Sequence, residues 1–64
     1  MGTTLRKAIN HAKKIAEQTQ ETVLVIHDLE YEEEYGLDLS FYPVRESRFD
    51  DVDPDMKVIM SVSA

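Results

Sequence analysis

Three aspartates near the C-terminus have the spacing of a calcium site. Asp51, Asp53 and Asp55 reproduce the first carboxylate ligands of an EF-hand loop. Such a loop also needs a glycine directly after them and a bidentate glutamate at its end, but Met56 and Val62 stand there. We therefore expect an acidic, solvated loop, with weak cation binding as the alternative. We predict no bound metal and no cofactor.

The two histidines give little support for catalysis. His27 stands beside Asp28 without further ligands nearby, and His11 shares a helix row with lysines. The chain has no cysteine, no G-x-S-x-G sequence and no glycine-rich phosphate-binding loop. A chain of 64 residues also offers little volume for a substrate pocket. We predict that the protein is not an enzyme; acid–base work by paired carboxylates is the remaining catalytic hypothesis.

Carboxylates and aromatic residues occur together in the second half of the chain. The acidic residues gather around positions 30–38 and again around positions 46–55. On predicted strands they would form rows beside aromatic anchors, a surface that suits a basic partner or imitates nucleic-acid phosphates. The alternative is that they only keep a small protein soluble. The predicted partner-binding residues are Glu30, Tyr31, Glu32, Glu33, Glu34, Tyr35, Asp38, Asp50, Asp51 and Asp53.

Charge is divided unevenly along the chain, whose formal net charge is −6. Residues 1–20 carry four cations against Glu17, whereas residues 21–64 carry twelve carboxylates against three cations. The negative field disfavours general nucleic-acid and anionic-membrane binding and favours basic protein surfaces. The alternative hypothesis is that the N-terminal helix binds nucleic acid or another polyanion through its basic face. The candidate anion-binding residues are Arg6, Lys7, His11 and Lys14.

The N-terminal residues show helical periodicity. Small and apolar side chains recur over residues 4–20 with the spacing of one helix face, and three of them are alanines. Thr3 or Thr4 is a suitable N-cap. We predict an amphipathic helix over residues 4–20, whose alanines allow it to lie close to the surface on which it packs.

A β-hairpin is predicted to follow the helix. Residues 22–30 contain a β-branched run that is apolar on both faces, as in a strand covered on two sides. Residues 37–44 alternate apolar and polar side chains, and Pro43 belongs at the end of a strand or at a sheet edge. With Gly36 as the turn residue, these segments predict a hairpin from 22 to 44.

The last segment predicts a third strand. Residues 56–63 alternate and contain β-branched side chains, although Asp53 and Pro54 could instead begin a helix. Residues 45–55 are expected to form a polar loop. We predict an α+β fold in a single domain, residues 1–64. One N-terminal amphipathic helix packs on a small antiparallel sheet of about three strands, with the element order α-β-β-β and the order of strands in the sheet left open.

The small size of the chain favours self-association. Without cysteine there is no disulfide to supplement a small core. One helix covers one face of the sheet, so apolar side chains on the other face of residues 22–31 are expected to lack cover. A homodimer, joined face to face or edge to edge, is the simplest way to cover these side chains.

The sequence shows no targeting or membrane-spanning signal. There is no signal-peptide pattern, and no apolar run reaches the length of a membrane span. We expect a soluble, cytoplasmic protein that does not bind membranes.

These observations predict a small acidic, non-catalytic interaction protein. We expect a homodimer that binds a basic surface of a partner, such as a nucleic-acid-handling protein. As an inhibitor, it would block that surface. Small acidic proteins of this kind are common among phage and mobile-element products, and some of them imitate nucleic acid. Direct nucleic-acid binding is the alternative.

Overall fold

The computed structural model of the protein describes residues 2–49 and 54–64. The elements in chain order are α1 (Leu5–Thr19), β1 (Val23–Asp28), α2 (Leu29–Tyr35), β2 (Phe41–Arg45) and β3 (Met56–Val62). The strands form one antiparallel sheet in the order β2-β1-β3, so β1 is central. This confirms the predicted α+β fold of an N-terminal helix and three antiparallel strands. It adds a second, short helix between β1 and β2.

Helix α1 has well-defined ends and a narrow buried face. The Thr4 hydroxyl accepts a hydrogen bond from the Lys7 N–H at 3.3 Å, and Gln20 closes the helix in the left-handed region at φ 57°. The buried face is a stripe of alanines that packs on the sheet. Its core contacts are formed by Ala8, Ala12, Ala16, Val23, Val25 and Phe41. The helix predicted over residues 4–20 is therefore confirmed, apart from its flanking caps.

Strands β1 and β2 pair in the predicted antiparallel sense. Val23 lies opposite Arg45, and His27 lies opposite Phe41. Pro43 is part of β2, which is an outer strand, as expected for a residue with no N–H to donate. The connection between the two strands, residues 29–40, is however longer than predicted, because the predicted strands end at residue 30 and begin again at residue 37.

The strand predicted over residues 22–30 ends at Asp28, and α2 begins at the next residue, Leu29. Asp28 is the N-cap, and its Oδ1 accepts a hydrogen bond from the Tyr31 N–H at 3.1 Å. Glutamates in the first turn suit the positive end of the helix dipole, and Gly36 ends the helix at φ 94°. Glu30, Glu32, Glu33 and Glu34 are therefore helical. The prediction that they form rows along a strand is wrong.

The strand predicted over residues 37–44 is also shorter in the structure. Leu37–Leu39 form a 3-10 turn, and the strand begins only at Phe41. The buried Ser40 joins the two elements, because its hydroxyl donates a hydrogen bond of 2.8 Å to the carbonyl of Leu37. Both leucines are exposed, so their alternation with Phe41 does not reflect a sheet face.

The predicted third strand is confirmed, because Met56–Val62 forms β3 and not a helix. It pairs with β1 on the side opposite β2, and Val25 lies opposite Met60. The register then shifts by one residue, so that Ile59 has no direct partner on β1 and forms a β-bulge. In the predicted polar loop, a 3-10 turn follows β2. Residues 50–53 lie outside the described residues.

Both faces of β1 are covered within the chain. One face packs under α1, and on the other face Leu24 is 7% exposed and Ile26 is 0% exposed. Ile26 lies opposite Tyr42 on β2, and the Tyr42 hydroxyl donates a 3.4 Å hydrogen bond to the Met56 sulfur on β3. The expectation of an uncovered face is therefore wrong, because a side chain from one outer strand reaches across the central strand to the other.

Candidate protein-interaction site

The connection between β1 and β2 carries only negative charge. Residues 29–39, called the acidic segment from here on, comprise α2 and the 3-10 turn after it. The segment holds five carboxylates and no cation. Glu32 is half-buried, and the exposed carboxylates are Glu30, Glu33, Glu34 and Asp38. Four of the five are therefore available to a partner.

Backbone hydrogen bonds fix both ends of the acidic segment to the sheet. At its start, the Leu29 N–H donates to the Asp55 carbonyl at 2.8 Å, which ties α2 to the residue before β3. At its end, the Ser40 carbonyl accepts a hydrogen bond of 2.8 Å from the Asp28 N–H. Because its two ends meet, the segment projects from one end of the sheet as a closed loop.

Glu32 differs from its exposed neighbours because it contacts the sheet. Its Oε2 lies 3.0 Å from Nε2 of His27, and the His27 ring stacks on Phe41 with ring centroids 4.5 Å apart. The Nε2 atom is buried, and its contact with the carboxylate lacks the alignment of a hydrogen bond. Because Glu32 belongs to α2, this contact places the helix against the His27 ring. These contacts give His27 a structural role at the base of α2.

Apolar side chains are exposed among these carboxylates. Tyr31 and Tyr35 lie one helical turn apart with ring centroids 4.5 Å from each other, and Tyr35 is 52% exposed. In the turn that follows, Leu37 is 53% exposed and Leu39 is 44% exposed. Each of these three side chains, Tyr35, Leu37 and Leu39, therefore keeps about half of its surface exposed. The acidic segment thus presents apolar contact groups surrounded by negative charge.

The structure brings together seven of the ten predicted partner-binding residues, all in the acidic segment. The other three, Asp50, Asp51 and Asp53, lie outside the described residues, and so does most of the calcium-like spacing. Leu37 and Leu39 join the site, although the strand prediction places them on one face of a strand together with Phe41. The signals that identify this region as helix and turn are the N-cap at Asp28 and the glycine that ends α2.

The cations of α1 lie on the helix face that is turned away from the sheet. Arg6, Lys7, His11 and Lys14 are all exposed, as is Lys13. Within the described ranges, no salt bridge joins these residues to a carboxylate. The ion contacts there are Arg45–Glu21 at 3.3 Å and His27–Glu32. The geometry therefore leaves the basic face of α1 accessible.

An open depression of about 500 Å³ lies beside α1 and is lined by Leu5, Arg6, Ile9 and Asn10. Over residues 2–49 and 54–64, no group of three or more histidine, cysteine or acidic side chains is arranged to hold a metal ion. In the same part of the chain, no helix combines the length and the apolar character needed to cross a membrane.

Comparison with known proteins leaves the function to be argued from this geometry. No protein-family model, no curated protein and no solved structure matches the chain.

Proposed function

We propose that this is a small, homodimeric interaction protein that acts by contact and not by catalysis, and that its acidic segment docks on a basic surface of a partner protein. The observation that carries the proposal is the exposure of Tyr35, Leu37 and Leu39 within a segment whose charged side chains are all carboxylates. Exposed apolar groups supply contact area, and the surrounding charges supply orientation and attraction over distance.

The partner that fits this segment has lysines or arginines around an apolar recess. Glu30, Glu33 and Glu34 lie three and four positions apart on α2, a spacing that sets helix side chains about 5–6 Å from each other. Such a cluster pairs with cations of the partner that would otherwise bind nucleic-acid phosphates. Docking there therefore blocks the partner's nucleic-acid-binding surface. An inhibitor of a nucleic-acid-handling protein is the form of the proposal that this chemistry favours. The absence of cysteine suits a reducing compartment, the cytoplasm.

The test compares two variants that remove the same charge from different places. E33Q/E34Q neutralises the acidic segment, whereas E17Q/E46Q neutralises exposed carboxylates on α1 and in the 3-10 turn after β2. Glu32 stays unchanged because it is half-buried and its carboxylate contacts His27. All four substituted side chains are exposed, so neither variant is expected to disturb folding.

The variants are compared for binding to a partner captured from lysate of the source cells at low and high salt. We expect one stoichiometric partner that high salt releases, because exposed charge pairs are screened. E33Q/E34Q should raise Kd by about tenfold, since charge-assisted contacts are lost. E17Q/E46Q should change Kd by less than about twofold. An equal change for both variants, or none for either, would contradict docking by the acidic segment.

A second candidate function is polyanion binding by α1, which the exposure of its cations favours. A gel-shift titration in low salt tests it, with K7A/K14A as the variant and E33Q/E34Q as the control. A shift that K7A/K14A removes and E33Q/E34Q preserves would support this function. The absence of a shift with tens of micromolar protein would reject it.

A further inference from the structure

Strand β3 has an exposed and nearly uncharged outer edge. Val58, Ile59 and Met60 are 46%, 42% and 37% exposed. Lys57 is the only charged residue of β3, in a chain that carries thirteen carboxylates and a net charge of −6. Because copies of an acidic protein repel each other, a strand without carboxylates is a place where two copies can approach.

The backbone of β3 offers hydrogen-bonding groups along this edge. Peptide groups in an antiparallel ladder point alternately to the two sides of a strand. The Asp55 carbonyl accepts a hydrogen bond from the N–H of Leu29, the residue directly after β1, so the alternation directs the peptide groups of Met56 and Val58 outward. Beyond the bulge, Met60 pairs with Val25, which directs Ser61 outward. Within the described ranges no strand pairs with this side of β3. Groups of this kind are a template for another strand.

We propose that β3 pairs antiparallel with β3 of a second copy, which joins the two sheets into one of six strands. This inference rests on the homodimer of the proposed function and specifies its interface. The two-fold axis lies between Ile59 and Met60, because this register sets outward-facing residues against each other. Val58 then lies opposite Ser61 of the second copy, and Lys57 lies opposite an uncharged valine, so no like charges meet.

The β-bulge is the reason that a second copy fits this edge. In a regular strand, outward-facing residues recur every second position, but the bulge separates Val58 from Ser61 by three. A regular strand that pairs on one side of the bulge therefore falls out of phase on the other side. An identical strand carries the same extra residue, and in the antiparallel register the two irregularities face each other across the axis.

Charge repulsion is also low in this arrangement. The acidic segment begins beside Met56, because Asp28 lies opposite that residue in the β1–β3 ladder. In an antiparallel pair of β3 strands, the two Met56 residues lie at opposite ends of the interface. The two acidic segments are thus held far from each other, and both remain free to bind a partner.

The test measures self-association of the wild-type chain and three variants by analytical ultracentrifugation from about 1 μM to about 1 mM. S61P removes an outward N–H and leaves the hydrogen bonds to β1 in place. I59K sets two like charges beside the axis. L37K is the matched control, because Leu37 is exposed to a similar extent on the acidic segment. Circular dichroism reports folding of each variant.

We expect a dimer of the wild-type chain whose dissociation constant rises at least about tenfold in S61P and in I59K, because each change occurs twice in the interface. L37K should stay within about twofold. Since the chain has no cysteine, I59C provides a second readout that does not depend on S61P folding. Under oxidation I59C should form a disulfide-linked dimer, and L37C should not.

The outcomes separate this inference from the proposed function. A wild-type chain that stays monomeric at every concentration overturns both the homodimer and its β3 interface. This holds even if β3 binds a different protein. A dimer that persists in I59K and that I59C does not cross-link overturns the β3 interface alone. Loss of the dimer in I59K, with cross-linking by I59C, supports the inference. Binding to a basic partner is tested separately by E33Q/E34Q.

Discussion

Strands β2 and β3 both flank β1, but their outer edges differ. On β2, Thr3 and Phe41 exchange backbone hydrogen bonds of 2.6 and 3.1 Å. The next outward-facing position of β2 is Pro43, which has no N–H to offer. On β3, Val58 and Ser61 direct their peptide groups to a side that, within the described residues, no other strand occupies.

The difference bears on how the proposed dimer would form. One edge is closed by the N-terminal residues and a proline, whereas no strand in the ranges 2–49 and 54–64 pairs with the other edge, which is apolar. A sheet with two open edges can add copies without end, whereas one open edge related by a two-fold axis closes after a single pairing. The closed β2 edge therefore favours a dimer over a fibre.

The largest expected difference lies between core residues of β2 and exposed residues of β3. Phe41 is 8% exposed and stacks on His27, whereas Val58 is 46% exposed. Phe41→Ala should lower the free energy of unfolding by about 3–5 kcal/mol, because it leaves a cavity under α1. Val58→Ala should lower it by less than about 1 kcal/mol.

Urea unfolding at low protein concentration measures both values without a contribution from association. Equal losses for Phe41→Ala and Val58→Ala would show that β3 is packed as firmly as β2, and the comparison of the two edges would then fail.

A smaller effect is expected at Gly2, which brings the N-terminal residues against the β2 edge. Gly2 is buried, and a Cβ added there would collide with the backbone carbonyl of Leu39. Gly2→Ala should lower the free energy of unfolding by about 1–3 kcal/mol, because the backbone must move to admit a methyl group. It should also weaken the pairing of Thr3 with Phe41.

Hydrogen exchange locates the Gly2→Ala effect. The Phe41 amide, which donates to Thr3, should exchange faster, while the hydrogen bonds between β1 and β3 should keep their protection relative to global unfolding. Unchanged protection of Phe41 would mean that the N-terminal residues do not close this edge.

The smallest effect is expected at Pro43. Pro43→Thr should lower the free energy of unfolding by about 0.4–1 kcal/mol, because the unfolded chain gains conformational freedom. It adds an outward N–H to β2, but Thr3 still covers the neighbouring position. Self-association measured by ultracentrifugation should therefore stay at the dimer. Larger species that appear only in Pro43→Thr would show that the proline alone keeps this edge closed.

Local patterns in the chain predict most of its regular structure. The alanine stripe predicts α1, the β-branched run predicts β1, and alternation predicts β3, because each pattern repeats with the period of its own element. The same reasoning fails over residues 29–40. There Leu37, Leu39 and Phe41 alternate as in a strand, but Asp28 and the glutamates after it favour a helix, and only Phe41 enters the sheet.

The candidate site is predicted in composition but not in shape. Its carboxylates and tyrosines follow from the sequence alone, whereas its helical form and its exposed leucines depend on where β1 ends. That end is set by the cap at Asp28 and by the bond from Leu29 to Asp55, a residue on a distant part of the chain.

The sequence by itself determined the elements whose signals lie within a few residues: the helix, the central strand and the division of charge. Tertiary structure alone decided that Tyr42 reaches over β1 to Met56 and that Thr3 closes β2. It also decided that β3 is an outer strand, with one side on which no strand of the described part of the chain pairs. The physical reason is that periodicity records which side of an element is apolar. Contacts between distant residues arise only when packing has placed both partners.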